Sequence, residues 1–476
     1  MTYPADFTAI LPFLILATAA VVVMLGIAIV RHHLMSFILS LIGLVLTLLS
    51  LPLAATESPR QVTPLLVIDG YALFYMGLVL AATLVVLILS YRYFSGLERN
   101  PEEYYILLLL AALGASVLVA SSHFASFFLG LEILSISLYV LIAYSYDVIH
   151  RVEAALKYLI LAAASAAFLL FGMALLYAWS GTLEFARMAE AHATQGGSLL
   201  LLLGLGLLTV GIGFKLAVVP FHLWTPDVYQ GAPAPVTAFV ATVSKGSMLV
   251  LVLRYFTQLG FHEHPELLGG FTIVAVLSML VGNLLAFLQS NLKRMLAYSS
   301  IAHMGYLLVP ILATGDLVNQ AVAFYLVAYF AATLLAFGVI TVLSTVEKET
   351  EEIEAYRGLF WRRPGLALGL AVSMFSLAGI PPSAGLVGKF ILAATGVQSA
   401  LWLALGALIV GSVIGLFYYA RVAIIVFFSS EEEEAAAPLA AGSAAVLAVL
   451  ALAVIWLGVF PSSMTELIAA VVERLI

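Results

Sequence analysis

Six lysines occur in these 476 residues, and four of them sit inside long apolar stretches: Lys157 (ALKYLILAAA), Lys215 (GIGFKLAVVP), Lys245 (ATVSKGSMLV) and Lys389 (PPSAGLVGKF). Glu132, in FFLGLEILSIS, reads as the one acid of twenty-six that is placed the same way. A charge in hydrocarbon costs about 3 kcal/mol even on lenient insertion scales. Such residues are easily replaced by apolar ones, so an ordered set of them points to a path for ions or protons. Burial disfavours the charged form of a lysine, and a nearby carboxylate favours it again. An acid that tethers a buried lysine therefore also tunes it.

Each position has a plainer reading beside that one. Lys157 follows Glu153 by four residues near a helix start, which suits an i,i+4 ion pair or a side chain reaching back to the interface. Lys215 would reach the interface if its helix stopped at Pro220, but the continuing FHLW argues that it does not. Lys245 lies ten residues from Pro235 and nine from Arg254, too deep for an easy exit. His303, in YSSIAHMGY beside Tyr298, Ser299, Ser300 and Tyr306, fits either a hydrogen-bonded strut or a proton relay. Tyr325, Tyr329 and Thr333 recur at i, i+4 and i+8 and read as polar packing on one helix face. His222, next to Pro220, reads as a loop anchor. With no P-loop, GxGxxG or haem-type histidine pair, no bound nucleotide or redox centre is indicated, and no nucleic acid partner.

The elements that carry these residues follow from composition. Hydrophobic residues make up 64% of the chain and charged residues 9%, which no soluble surface can be built from. The expected fold is an all-α polytopic membrane protein with lipid as its main solvent. Net charge is −7, but much of it comes from Glu431–Glu434 and the cluster from Glu347 to Glu354, both of which read as solvated loops. There is no cysteine, which excludes thiolate-held clusters and disulfides within the chain. The N-terminal segment has no basic leader or small-residue cleavage site, so its first apolar run is expected to be a retained span.

Apolar runs of about 20 residues predict fourteen spans, at 8–30, 34–53, 72–92, 104–120, 124–146, 154–179, 198–224, 236–258, 270–289, 295–314, 319–344, 366–396, 401–427 and 439–460. The longest connections are 345–365 and 180–197. The side reached after each odd-numbered span holds Arg31, Arg92, Arg99, Arg151, Lys293, Arg294, Lys348, Arg357, Arg362, Arg363 and Arg421. The other side holds Arg60, Arg187, Arg254 and Arg474. By the positive-inside rule the richer side is cytoplasmic, and both termini face away from it.

Two spans are too long and too interrupted to be simple helices. In 198–224, Pro220 cannot donate to the carbonyl of Leu216, so the helix should break about one turn after Lys215. In 365–396, Gly379, Pro381, Pro382, Gly385 and Gly388 precede Lys389. Paired Gly/Pro-broken helices are the sequence mark of internal repeats with ion sites near mid-membrane. One membrane domain, 1–476, is expected to hold N-terminal helices in 1–103, two inverted five-helix repeats in 104–258 and 270–427, and a last helix in 439–476. Lys215, Lys245, His303 and Lys389 are expected to form one hydrated polar row between the breaks.

The stretch GFKLAVVPFHLWTPDVYQGAPAPVTAFVATVSKG (213–246) resembles the antiporter-like membrane subunits of respiratory complex I, the bacterial NADH–quinone oxidoreductase. So do NLKRMLAYSSIAHMGYLL (291–308) and SLAGIPPSAGLVGKF (376–390), and the similarity extends over essentially the whole chain. PDVYQGAPAPVTAF together with Lys245 in ATVSKG separates it from the L and M subunits, which carry a His-containing stretch there.

The resemblance implies that Glu132 and Lys215 form the family's broken-helix charge pair. Since each otherwise lacks an obvious partner, the two groups are expected in direct or water-bridged contact. Lys245 would be the connecting lysine and Lys389 the broken-helix lysine of the second repeat. Lys157 would match a further family lysine near the pair. It implies a proton-translocating subunit with no redox chemistry of its own, driven by partner subunits that hold the flavin, iron–sulfur clusters and quinone. Subunits M, K and J would be its neighbours in a bacterial inner membrane, with membrane lipid around them. A subunit of a multisubunit Na⁺/H⁺ antiporter is the alternative reading.

Overall fold

The structure is a computed structural model describing residues 4–472 apart from 98–99, 146–147, 197, 260–264 and 430–438. Arg99, Glu431–Glu434 and Arg474, named above, lie outside the described residues.

Among the described residues, twenty-one α-helices follow in chain order, with one small hairpin near the start. The N-terminal group is α1 (Pro4–Ala9), α2 (Leu11–Ile29), α3 (His33–Ala55), strands β1 (Arg60–Thr63) and β2 (Leu66–Ile68), and α4 (Gly70–Phe94). Next come α5 (Glu103–Ala120), α6 (Phe124–Ile142), α7 (Ile149–Ser180), α8 (Phe185–Gln195) and α9 (Leu199–Leu216). After the first break stand α10 (Trp224–Gly231), α11 (Ala234–Phe239) and α12 (Lys245–Leu259), with a π-helical turn, Val240–Ser244, joining the last two. Then come α13 (Pro265–Phe287), α14 (Leu292–Leu312), α15 (Leu317–Leu343), α16 (Leu359–Arg362) and α17 (Pro364–Ala378). The chain ends with α18 (Ala384–Gln398), α19 (Trp402–Ile425), α20 (Ala441–Val459) and α21 (Ser462–Val472).

Among the described residues, thirteen helical stretches are long and apolar enough to cross a membrane. The interrupted pair α17–α18 makes one further crossing, which accounts for the fourteen expected spans. The all-α form follows from hydrocarbon itself, where a backbone must satisfy its own polar groups within each segment. Lipid offers no hydrophobic drive between helices, so small residues set the contacts. A Cβ at Gly114 of α5 would lie 2.6 Å from Leu134 N and 2.7 Å from Gly130 O of α6. The two backbones therefore touch, and this contact fixes the helix that carries Glu132.

Three expectations change. The 180–197 connection is largely the helix α8. The segment after α3 pairs β1 with β2 as an antiparallel hairpin, a local exception to the all-α pattern. The 345–354 stretch is not simply a solvated loop: Ile353 N donates to Ser290 O and Leu292 N to Glu351 O, at 2.9 and 2.7 Å. It folds back onto the start of α14 and carries Glu349 into the protein.

Candidate proton-transfer site

The first break falls sooner after Lys215 than its proline suggests. α9 stops at Leu216, and Ala217 takes the left-handed conformation at φ 60°. Lys215 thus occupies the last turn of α9, fully inside the bundle. Its Nζ donates to Ser135 Oγ at 3.0 Å and to Tyr158 OH at 2.9 Å. Trp224, the first residue of α10, donates from Nε1 to Phe214 O at 2.9 Å and closes the break. The Tyr158 ring packs between Phe214 and Trp224, with centroids 5.9 and 4.8 Å away.

Glu132 does not touch Lys215 directly. It is part-buried on α6, three residues before Ser135, and acts on Lys215 electrostatically at longer range. Lys215, expected to lack any other partner, instead has two hydroxyls. Nor is Glu132 the most buried acid, since Asp69 and Glu349 lie deeper.

Lys245 is 0% exposed and begins α12 directly after the π-helical turn. Such turns insert one extra residue and recur at functional sites. Lys245 Nζ donates to Ser300 Oγ and lies 5.1 Å from the Tyr229 ring centre and 5.8 Å from that of Trp224. Tyr229 OH and Ser300 Oγ are 3.0 Å apart. Trp224 therefore contacts the surroundings of both Lys215 and Lys245.

The second break has a different geometry. α17 ends at Ala378, Gly379 turns left-handed at φ 85°, and α18 starts at Ala384. Lys389 lies in α18, yet its Nζ reaches back across the break to Ala378 O at 2.8 Å. It also lies 5.3 Å from the Tyr306 ring centre. His303 stands between the lysines, with Nδ1 2.8 Å from Tyr325 OH and Nε2 3.0 Å from Tyr419 OH. Ser300, His303 and Tyr306 follow at every third residue of α14, so one helix face links the Lys245 site to the Lys389 site. Nearby, Tyr329 OH and Thr333 Oγ1 are buried without a well-formed hydrogen bond among the described residues. Polar positions of that kind suit buried water.

Lys157 stands apart from this row, part-exposed near the start of α7. It pairs with Glu153 Oε1 and Asp227 Oδ2, each at 2.8 Å. Asp227 also accepts from Arg294 Nη1 at 2.9 Å. Partial burial raises the Asp227 carboxyl, but hydrogen bonds from Lys157 and Arg294 outweigh it and hold the group below the usual carboxylate range. His222 is buried beside the first break and meets the Pro220 backbone, although its Nδ1 has no well-formed hydrogen bond among the described residues.

Sequence reasoning missed two buried ion pairs. Arg254 forms a two-pronged pair with Asp69 at 2.7 and 2.8 Å, joining the second half of α12 to the start of α4. At the opposite, basic end, Lys293 (0% exposed) pairs with Glu349 (5% exposed). Arg151 Nη2 lies 3.9 Å from the same carboxylate and donates to Val346 O at 2.7 Å. Beside these groups a cavity of about 430 Å³ is lined by Glu153, Lys157, Asp227, Arg294 and Glu351 among others. The signal for Lys293 was its position seven residues before Ser300, on the same face of α14.

Residues 121–415 match the family described as NADH:quinone oxidoreductase/Mrp antiporter, TM. NADH-quinone oxidoreductase subunit N of Nitrosospira multiformis is 52% identical, covering 96% of this chain and 95% of its own length. That of Ectopseudomonas mendocina is 48% identical, with coverage of 97% and 95%. The chain belongs to the NADH-quinone oxidoreductase subunit N family. Among solved structures, a chain of respiratory complex I from Thermus thermophilus superposes with a TM-score of 0.83 at 35% identity, covering 96% of this chain and 98% of that one. A chain of the Mrp complex from Dietzia reaches 0.87 at 19% identity, over 100% and 98%. That likeness speaks for the fold alone. The chain is an antiporter-like membrane subunit with an interior crossed by buried charged residues.

Proposed function

We propose that this chain moves protons across the membrane for NADH–quinone oxidoreductase, and that Lys215, Lys245 and Lys389 are the groups that carry them. One observation carries the reading: three buried lysines, two at helix breaks and one after a π-helical turn, are connected by hydroxyl and aromatic groups. Lysine can hold or give up its proton inside a protein, whereas arginine stays charged. Ser135 and Tyr158 receive the Lys215 N–H groups while Glu132 stands off, so a shift of α6 changes the field at Lys215 without breaking a direct ion pair. A proton released there has Tyr158 and Trp224 between it and Lys245. Beyond Lys245, Ser300, Tyr229 and His303 lead towards Lys389, with Glu132 and His303 tuning the row.

The chain does no redox chemistry by itself on this reading. Energy reaches it by coupling from partner subunits, which hold the flavin, iron–sulfur clusters and quinone. Subunits M, K and J are its proposed neighbours. Its proposed setting is a bacterial inner membrane, with the basic end cytoplasmic and both termini on the other side. Residues 104–258 and 270–427 are proposed as inverted repeats, in support of which each contains one helix break beside a buried lysine. Lys157, in its ion pairs with Glu153 and Asp227, serves the row from its rim.

The test is isolation of the native complex from membranes, followed by Lys245→Ala. Co-purification with flavin- and iron–sulfur-bearing subunits, and loss of NADH-driven pumping in the assembled variant, are expected. Isolation without those subunits, as a sodium–proton exchanger, would replace this reading with the antiporter one.

A further inference from the structure

Glu349 is the meeting point of four elements. Its carboxylate accepts from Lys293 Nζ of α14, from Tyr93 OH of α4 and from Ala234 N, the first residue of α11, the last at 2.8 Å. Arg151 of α7 lies 3.9 Å away. Lys293 in turn donates to Gln230 O at 2.9 Å and to Ala232 O at 2.7 Å. These are carbonyls at the C-terminal end of α10 and just past it. The Glu349–Lys293 pair therefore holds both sides of the α10–α11 junction: the acid takes the N–H that opens α11, and the lysine takes the carbonyls that close α10.

That junction sets the surroundings of Lys245. Upstream, α10 supplies Tyr229 and Trp224, the two rings that face Lys245. Downstream, α11 runs through the π-helical turn directly into Lys245. Glu349 itself belongs to the connection between α15 and α17. Further along, Glu351 accepts from Gln230 Nε2 at 3.2 Å and from Asn291 Nδ2 at 2.7 Å. The same connection then enters α17, the first half of the broken helix whose end Lys389 reaches.

We propose that residues 344–363 form a strap between the two breaks, and that Glu349 and Lys293 are positioning residues for Lys245. Any movement of α17 pulls on a segment whose buried acid anchors the α10–α11 junction. A shift there changes how Tyr229, Trp224 and the π-helical turn present Lys245. The pair is placed to do this because a buried carboxylate and ammonium cannot separate without one charge losing its partner. Movement of the strap is therefore passed on to the junction instead of being absorbed by separation of the pair.

The inference rests on the role proposed for Lys245, and its test separates the two. In the whole complex isolated from membranes, protons pumped per NADH oxidised are measured for Glu349→Gln, Glu349→Asp, Lys293→Met, Tyr93→Phe and Lys245→Ala. Each assembled variant is compared with wild type. Positioning predicts that Glu349→Gln lowers the ratio at least twofold and that Glu349→Asp restores most of it. Tyr93→Phe, which removes one donor to Glu349 and the acceptor of a 3.2 Å hydrogen bond from Arg151 Nη2, should lower the ratio in the same direction. The double variant Glu349→Gln/Lys293→Met should be no worse than the poorer single one. A purely structural role would reduce the amount of complex and leave the ratio of assembled enzyme unchanged. If Glu349→Gln does not assemble, Tyr93→Phe and Lys293→Met decide, and wild-type ratios in both overturn the strap. If Lys245→Ala itself pumps normally, the proposed function fails first.

Discussion

Lys215 Nζ lies 3.0 Å from Ser135 Oγ, and Ser135 lies three residues along α6 from Glu132. The helix that carries the acid therefore also supplies a hydroxyl to the lysine of the first break. Such an arrangement lets Glu132 change the field at Lys215 by a small movement of α6, with no strong ion pair to tear apart. Glu132→Ala is expected to lower pumping by about tenfold, or ~1.4 kcal/mol on the barrier. Glu132→Asp, with charge retained on a shorter arm, should do less harm. Equal damage from both, in assembled complex, would remove Glu132 as an electrostatic switch.

Lys215→Ala should stop proton pumping and quinone reduction together, since a coupled enzyme stalls when one proton step is blocked. General acid–base groups contribute roughly 10²–10⁴-fold, so activity should fall to a few per cent or less while the complex still assembles. Paired measurements of NADH oxidation and vesicle acidification check this. Normal pumping in the assembled variant contradicts the assignment.

Lys245→Arg preserves charge but not the capacity to become neutral. Its guanidinium must also fit beside Ser300 and against the Tyr229 and Trp224 rings, in a site fully closed to solvent. Pumping should stay well below wild type, near the level of Lys245→Ala. Recovery to wild-type rates would mean that the proton passes Lys245 without residing on it.

The Lys157–Asp227–Arg294 cluster carries a pH prediction. Asp227 is held below its ordinary value, so the stabilisation it provides is present above the unfolded value of about 4 and is lost as pH falls through the lower folded value. The cluster should therefore stay intact across neutral pH and open only in acid below about pH 4. Asp227→Asn should remove that acid-sensitive component and cost about 1 kcal/mol or less, because the pairs are part-exposed. Thermal unfolding of the two complexes from pH 7 down to about pH 2 provides the comparison. An identical acid response in wild type and variant would dismiss the cluster as its source.

Much of the architecture could be read directly from the chain. Run length gave the spans, and Pro220 and the Gly379–Pro382 stretch marked the breaks, because proline and glycine act on the backbone locally. The depth of Lys215, Lys245 and Lys389 was legible for the same reason. What surrounds them was not. Ser135 and Tyr158 stand 80 and 57 residues from Lys215, and nothing in local patterning reports such pairings. Glu349 was misread because a polar connection looks solvated until its path is known; here it turns inward to meet Lys293. Lys293 was hidden by its neighbour Arg294, since two adjacent basic residues at a helix start resemble an interfacial anchor. Only Arg294 faces outward enough to be one.

The reach of Lys389 back to Ala378 O has a consequence of its own. A helix that stops inside a membrane leaves a negative dipole end facing a medium with little water to answer it. At the second break, the counter-charge to that end is the ammonium borne by the following half-helix. In the role proposed for Lys389, each proton that leaves it also strips α17 of the charge that balances its terminus, and each proton that returns restores it. Chemistry and shape share one atom there. A passing proton is registered as a change in how firmly two half-helices are held end to end.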